Sequence, residues 1–419
     1  MTCLVTLRKE AVPSKILFSN DWQNKQPTFA NNFNKPPTPL RGLPHRNLIS
    51  LVFAMTCFGL IMVYSASAPE ALSSFHDHFY FFKRQALAFI IGLLCMITLS
   101  RYDYRKLKKF SWPLAIVSFG LLVLTLVPGL SVVTMGSSRW LSLGPIQFQP
   151  SEMCKVSSII LLAAGLSTNF WWHFQVVIRI ILSFVMALII VKQPDLGTAM
   201  MIIGSMLSLL FVSGFNILLI SSGFIVGAGL AWRHIQKTPY QMARIQSWLN
   251  PYLSPHKEGW NTIQAQLAIG SGGLFGLGFG RSLQKLYYLP VQHADFIFAV
   301  IAEEFGLLGS FLLITCYGLF AYYGFKISLG AKTLFGRFLA IGITSSITLQ
   351  AIVNIMVTTG IIPVTGITLP LISYGGTSLV ITLTMIGLLL SVSRDSCPVE
   401  DEEDVVDPVT KDHSLNEVV

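Results

Sequence analysis

The stretch Leu289–Gly309 reads L-P-V-Q-H-A-D-F-I-F-A-V-I-A-E-E-F-G-L-L-G. A polar loop ends in His293 and Asp295. A strongly apolar helix is expected from Phe296 onward, and it carries Glu303 and Glu304. Carboxylates at or inside an apolar membrane helix are costly unless they are buried in protein or face water, so they mark a functional site. At about 100° per residue, Glu303 falls roughly 80° around the helix from Asp295, and Glu304 falls nearly opposite. The expectation is that Asp295 and Glu303 share a cleft while Glu304 pairs with another helix.

The surrounding composition makes that helix a membrane segment. Of 419 residues, 53% are hydrophobic and 12% are charged, and the mean hydropathy is +0.62. A soluble chain would carry about 25% charge. The fold class expected is an all-α polytopic membrane protein of about ten transmembrane helices. The formal net charge of +9 comes from basic residues in short loops between apolar runs. That is a membrane-topology pattern, and no nucleic-acid partner is expected. The cysteines Cys3, Cys57, Cys95, Cys154, Cys316 and Cys397 are scattered, mostly in apolar runs and without ligand spacing. Neither a disulfide framework nor a metal cluster is expected.

Spans are expected at about 47–67, 83–100, 110–128, 151–167, 176–192, 196–213, 216–233, 296–323, 337–358 and 375–393. An even number puts both ends on one side. The loop R-Y-D-Y-R-K-L-K-K, Arg101 to Lys109, is short and basic, and Lys326, Lys332 and Arg337 fall on the same side. The positive-inside rule makes that side the cytoplasm. Residues 1–45 read as a disordered cytoplasmic tail and 395–419 as an acidic cytoplasmic tail, flanking a membrane domain at 46–394. A large extracytoplasmic loop is expected at 232–295.

The outer face then gathers Glu152, Asp195, Asp295 and Glu303 with Arg139, Lys155, Lys192 and Arg244. Glu152 and Lys155 share a helix face, as an internal ion pair or as part of a site. Lys192 and Asp195 flank Pro194 at a turn, where Asp195 can cap a helix or serve the site. Asp295 could also cap, but its setting favours function. His293 reads as a hydrogen-bonding loop residue rather than a metal ligand. The glycines of Asn261–Arg281 permit tight turns, and their N–H groups could face an anion. Pro363, Gly366, Pro370, Gly375 and Gly376 break the apolar run before the last span. Irregular backbone at membrane depth is tolerated where it lines a buried or wet cavity. These residues describe a polar outer cavity for an anionic amphiphile. They leave enzyme and transporter both open.

Five motifs carry a further reading: G-S-S-R-W-L-S-L-G-P-I-Q-F-Q-P-S-E-M-C-K, K-Q-P-D-L-G-T-A, L-N-P-Y-L-S-P-H-K-E-G-W-N-T-I-Q-A-Q-L-A-I-G-S-G-G-L-F-G-L-G-F-G, H-A-D-F-I-F-A-V-I-A-E-E-F-G and L-P-L-I-S-Y-G-G-T-S. In this order, over residues 47 to 394, the chain resembles the SEDS (shape, elongation, division and sporulation) family of peptidoglycan polymerases. The run R-S-L-Q-K-L-Y-Y-L-P looks like the family's division branch, FtsW, rather than its elongation branch, RodA. The resemblance implies a glycosyltransferase that polymerises lipid II at the septum, with Asp295 as the catalytic residue. It carries Arg139, Glu152, Lys155 and Asp195 into the substrate site. Lys192, Arg244, His293, Glu303 and Ser373 join them as substrate-binding candidates. The family's usual L-P-E-x-H-T-D is altered here by Val291 and Ala294. A lipid II flippase and a non-catalytic division scaffold are the alternatives. The implied partners are lipid II, a class B penicillin-binding transpeptidase and other division membrane proteins. No resident metal site is expected, and a divalent cation, Mg or Mn, accompanying the pyrophosphate is left open.

Overall fold

The apolar runs fold into helices whose ends are set by local capping groups. The computed structural model describes residues 42–127, 131–134, 137–143, 146–168, 173–253, 255, 259–285 and 293–396. The N-terminal tail through residue 41, the segment with Val291 and the acidic tail beyond residue 396 lie outside the described residues. Among the described residues the helices are α1 (Arg46–Phe75), α2 (Tyr80–Arg101), α3 (Leu107–Leu124), α4 (Pro150–Leu166), α5 (Phe174–Lys192), α6 (Leu196–Val212), α7 (Ile217–Lys237), α8 (Pro239–Leu249), α9 (Trp260–Ser271), α10 (Ile297–Gly330), α11 (Leu334–Thr358) and α12 (Gly376–Ser393).

Each of the ten expected spans coincides with one of these helices. Seven are long and apolar enough to cross a membrane: α1, α2, α3 with its leading turn, α5, α10, α11 and α12. The chain is a multi-pass membrane protein. Helices α4 and α6 have 17 residues each, a rise of about 25 Å, just short of the ~30 Å hydrocarbon core. Almost every residue of α4 is buried, so its neighbours rather than lipid form its solvent.

Small residues allow the closest approaches. A Cβ at Gly387 on α12 would lie 2.7 Å from the Met96 carbonyl oxygen of α2, and one at Gly59 on α1 would lie 2.4 Å from that of Leu371. Packing through small residues replaces the hydrophobic drive that lipid removes. The main core, including Ile160, Leu162, Val300, Ile301, Leu339, Ile343 and Ile386, joins α4, α10, α11 and α12.

Two features differ from the sequence expectation. The segment before α4 forms a small antiparallel sheet, β1 (Ser131–Thr134), β2 (Ser137–Leu143) and β3 (Ile146–Phe148), in the order β1-β2-β3. Its longest strand, S-S-R-W-L-S-L, shows no strict polar–apolar alternation. The interval 232–295 holds the end of α7, then α8 and α9. Finally, α10 is interrupted at Gly306, whose φ of 67° is left-handed.

That interruption is joined to the glycine run. Leu277 and Gly278 N–H donate to the carbonyls of Glu303 and Glu304 at 2.9 and 3.0 Å. Leu307 and Leu308 N–H donate to those of Gly273 and Leu274 at 2.9 and 3.2 Å. The break therefore leaves these four amides satisfied, as an apolar setting demands. The contact needs glycine, since a Cβ at Gly276 would meet the Glu304 carbonyl at 2.2 Å. The two amides of the glycine run bind a helix, where the sequence suggested an anion.

Both ends of the membrane domain meet on one face. Gly42 N–H donates to the Arg394 carbonyl at 3.2 Å. Next to this contact, Asp395 binds Arg105 at 2.5 Å and approaches Lys332 at 3.9 Å. The start of α1, the end of α12 and the α2–α3 and α10–α11 connections thus share a side.

Candidate functional site

Asp295 lies in the turn that precedes α10, and its backbone is gripped from two elements. Asn354 on α11 donates Nδ2–H to the Asp295 carbonyl at 2.9 Å and to the Ile367 carbonyl at 2.7 Å. Ser373 Oγ donates to the Ala294 carbonyl at 2.5 Å and accepts from Leu369 N–H at 2.8 Å. Tyr374 N–H donates to the His293 carbonyl at 2.9 Å. Gln85 on α2 donates to the Ser373 carbonyl at 3.0 Å and accepts from Gly375 N–H at 3.2 Å. The broken segment between α11 and α12 therefore forms the wall against which the Asp295 turn is fixed.

The side chain is left in a different condition. Among the described residues, the Asp295 carboxylate takes part in no hydrogen bond or ion pair. Its surroundings are charged nonetheless. Burial raises its pKa to about 6, the nearby Arg244, Arg139 and His293 oppose that rise, and Asp195 adds to it. A Cβ on Gly366 would stand 3.6 Å from its Oδ2. Gly366, at φ 74°, lets the wall pass close to the carboxylate.

The cations are themselves positioned by backbone. Arg139 on β2 donates Nε–H to the Gln193 carbonyl at 2.9 Å, and its Nη2 donates to the Pro194 carbonyl. The small sheet thus serves to bring Arg139 onto the α5–α6 turn. Arg244 on α8 donates to the Val364 carbonyl at 3.1 Å. Asp195 caps α6 as its spacing suggested, accepting from Thr198 N–H at 3.1 Å and Thr198 Oγ at 2.9 Å. Gln149 Nε2 reaches it at 3.2 Å. His293 is buried, contacts Glu70 at 3.3 Å through Nδ1, and packs tilted against Phe81 and edge-on to Tyr374, with ring centres at 4.5 and 5.3 Å.

Glu152 and Lys155 form a buried ion pair at 2.8 Å. Lys155 Nζ also donates to Gln350 Oε1 at 2.8 Å, and Gln350 passes the contact on to the Thr368 carbonyl at 2.9 Å. The pair is thereby wired into the wall. Lys192 is exposed. Glu303 accepts from Ser282 Oγ at 2.5 Å and Leu283 N–H at 2.9 Å. Because α10 begins after Asp295, helix geometry does not set the angle between the two residues. Glu304 does reach another helix, accepting from Ser65 of α1 at 2.8 Å, and it pairs with Lys285 of the segment after α9 at 3.0 Å.

Sequence reasoning missed Asn354, Gln350 and Gln85. The first two are amides four residues apart inside an apolar helix, a spacing that places them on one face. That is the signal that would have found them. Among the described residues, no group of three or more His, Cys, Asp and Glu side chains is gathered to hold a metal. Asp295 and Asp195 offer at most part of a coordination shell, so any cation would draw its remaining ligands from substrate.

The geometry has relatives. A family model described as "Cell cycle protein", covering FtsW, RodA and SpoVE, matches residues 45–397. Stage V sporulation protein E of Bacillus subtilis is 42% identical over 366 residues, spanning 84% of this chain and 98% of that protein. The probable peptidoglycan glycosyltransferase FtsW of Trichlorobacter lovleyi is 38% identical over 356 residues, 83% of this chain and 92% of that one. A structure described as the structural coordination of polymerization and crosslinking by a peptidoglycan synthase complex superposes with a TM-score of 0.71 at 31% identity, covering 85% of this chain and 99% of that one. The crystal structure of the Thermus thermophilus rod shape determining protein RodA gives 0.63 at 30% identity, covering 85% and 98%. On this kinship the chain belongs to the FtsW, RodA and SpoVE family of cell-cycle membrane proteins, the SEDS family that its five motifs resemble.

Proposed function

We propose that this chain polymerises lipid II into glycan strands, with Asp295 as the general base. Relatives spanning more than four-fifths of the chain are named probable peptidoglycan glycosyltransferases, and the enzyme class rests on them. The observation that carries the role of Asp295 is its carboxylate: backbone clamped, side chain without a hydrogen-bond donor among the described residues, two arginines within Coulombic reach.

The reaction joins two sugars. An alcohol is a poor nucleophile at neutral pH, and a positioned base contributes about 10²–10⁴-fold. The Asp295 carboxylate takes the proton of the acceptor GlcNAc 4-hydroxyl as its oxygen attacks the anomeric carbon of the lipid-linked MurNAc. The glycosidic C–O bond forms with inversion as the bond to pyrophosphate breaks, and the lipid pyrophosphate departs with the electron pair. Arg139 and Arg244 place positive charge where the leaving group develops its negative charge. A divalent cation bound with the pyrophosphate would add to that neutralisation. A carboxyl with a pKa near 6 is mostly ionised at neutral pH and basic enough to accept a proton.

The site face is assigned to the outside of the membrane, because the opposite face carries the basic connection Arg101–Lys109. Both ends of the membrane domain are then cytoplasmic. The FtsW-named relatives support a place at the division septum. The synthase complex among the structural neighbours supports a crosslinking transpeptidase of the class B penicillin-binding type as partner.

The test is purified wild type against Asp295→Asn with labelled lipid II, reading glycan chain length by gel. Loss of polymer with unchanged thermal stability is expected. Full-length polymer from the variant would remove Asp295 from the chemistry and return the scaffold and flippase readings.

A further inference from the structure

Arg179 stands on α5, five residues after its start at Phe174, while the end of α5 at Lys192 abuts the Asp195 turn. Thirteen residues of helix separate Arg179 from Lys192, about 20 Å of rise. Arg179 therefore occupies the leaflet opposite the Asp295 site. It is 9% exposed. Its Nη1 donates to the Leu161 carbonyl at 3.0 Å, and its guanidinium lies 5.5 Å from the Trp112 ring centre. Gly165 makes room for the stem, since a Cβ there would lie 2.8 Å from Arg179 Cδ.

Among the described residues, no carboxylate balances this charge. Arg179 Nε is buried without a hydrogen-bond partner. Lys108 on α3 lies within Coulombic reach and adds a second positive charge. Among the described residues, neither forms an ion pair with a carboxylate. A buried cation inside a membrane protein is retained when an anion or a polar cavity stabilises it. The neighbouring surface is apolar and open: Ile178 and Ile181 on α5, and Phe110 and Val117 on α3, are all exposed. An anion reaching Arg179 from this side comes from within the bilayer boundary, with its hydrocarbon lying along that surface.

We propose that Arg179, with Lys108 and Trp112, forms a binding site for the phosphate headgroup of an anionic phospholipid in the leaflet opposite the Asp295 site. With Nη1 committed to Leu161, the planar, always-charged guanidinium offers its Nη2 N–H groups to phosphate oxygens. Lys108 supplies a point charge, and the Trp112 indole suits the headgroup boundary. Basic pockets between membrane helices bind lipid headgroups on the same logic.

The test is native mass spectrometry of the purified full chain in detergent, titrated separately with phosphatidylglycerol, phosphatidylethanolamine and inorganic phosphate. Wild type is expected to retain phosphatidylglycerol in preference to phosphatidylethanolamine, and Arg179→Gln to bind it about five- to tenfold more weakly. Equal retention of the two lipids by wild type, or equal phosphatidylglycerol binding by wild type and variant, overturns the proposal. Displacement of the lipid by equimolar inorganic phosphate overturns the lipid as the source of the anion. Should Arg179→Gln fail to fold, Lys108→Gln serves, with about two- to fivefold weaker binding expected and no change overturning the site.

Discussion

Asp295 and the adjacent carboxylates Glu303 and Glu304 lie on one short stretch of chain, yet the fold treats them in opposite ways. Both oxygens of Glu303 are engaged by the 282–283 segment, and Glu304 is held by Lys285 and Ser65. Their charge is consumed in fixing that segment and α1 to α10. At Asp295 the investment is reversed: the backbone carries the bonds and the carboxylate is left for something else. Burial alone does not separate the proposed catalytic carboxylate from the structural ones. What separates them is which part of the residue the protein chooses to satisfy.

The sharpest way to break this comparison is to neutralise each acid in turn. Asp295→Asn is expected to cut polymerisation by about 10²–10⁴-fold with little change in melting temperature in detergent. Glu304→Gln removes the carboxylate paired with buried Lys285 at 3.0 Å, and about 3–5 kcal/mol of stability should be lost. That loss is read as a lower melting temperature, with the specific activity of the surviving folded protein preserved. If the two variants exchanged these signatures, the division of labour would be wrong.

A smaller effect is expected from the clamp. Asn354→Ala removes two hydrogen bonds and orphans the Asp295 and Ile367 carbonyls, costing about 1–3 kcal/mol for each buried group left unmet. Activity should fall through misplacement of the base, and Asn354→Gln should not restore it, because the longer amide cannot reach both carbonyls from the same backbone.

The smallest effect concerns pH. With Asp295 at about 6, the ionised base is present above that value and is lost as pH falls through it, so the rate should drop about tenfold per unit well below pH 6. Arg244 holds the pKa down against burial. In Arg244→Gln the acid limb of the pH profile should therefore move to higher pH. An unmoved limb would uncouple Arg244 from the base.

Much of this was legible in the residues. The ten apolar runs marked the helices because membrane helices are written in uninterrupted hydrophobicity. The N-cap of Asp195 and the Glu152–Lys155 pair followed from spacings of three, which are local. The angle between Asp295 and Glu303 was not legible, since helical angles say nothing where the helix has yet to begin. The small sheet escaped notice because three short strands carry too little pattern. Asn354 and Gln350 were visible as amides in an apolar run, but their targets lie on a wall that only the tertiary fold brings against them.

The joint between the glycine run and the break in α10 sets an order of events during biogenesis. Its donors and acceptors are contributed by residues 273–278 and 303–308, and the earlier half is synthesised and delivered to the bilayer while its partner is still in the ribosome. Until α10 inserts, those amides have to shelter elsewhere. The seam is thus closed late, and the Asp295 turn, threaded between its two halves, becomes fixed only when the insertion of the eighth expected span is complete.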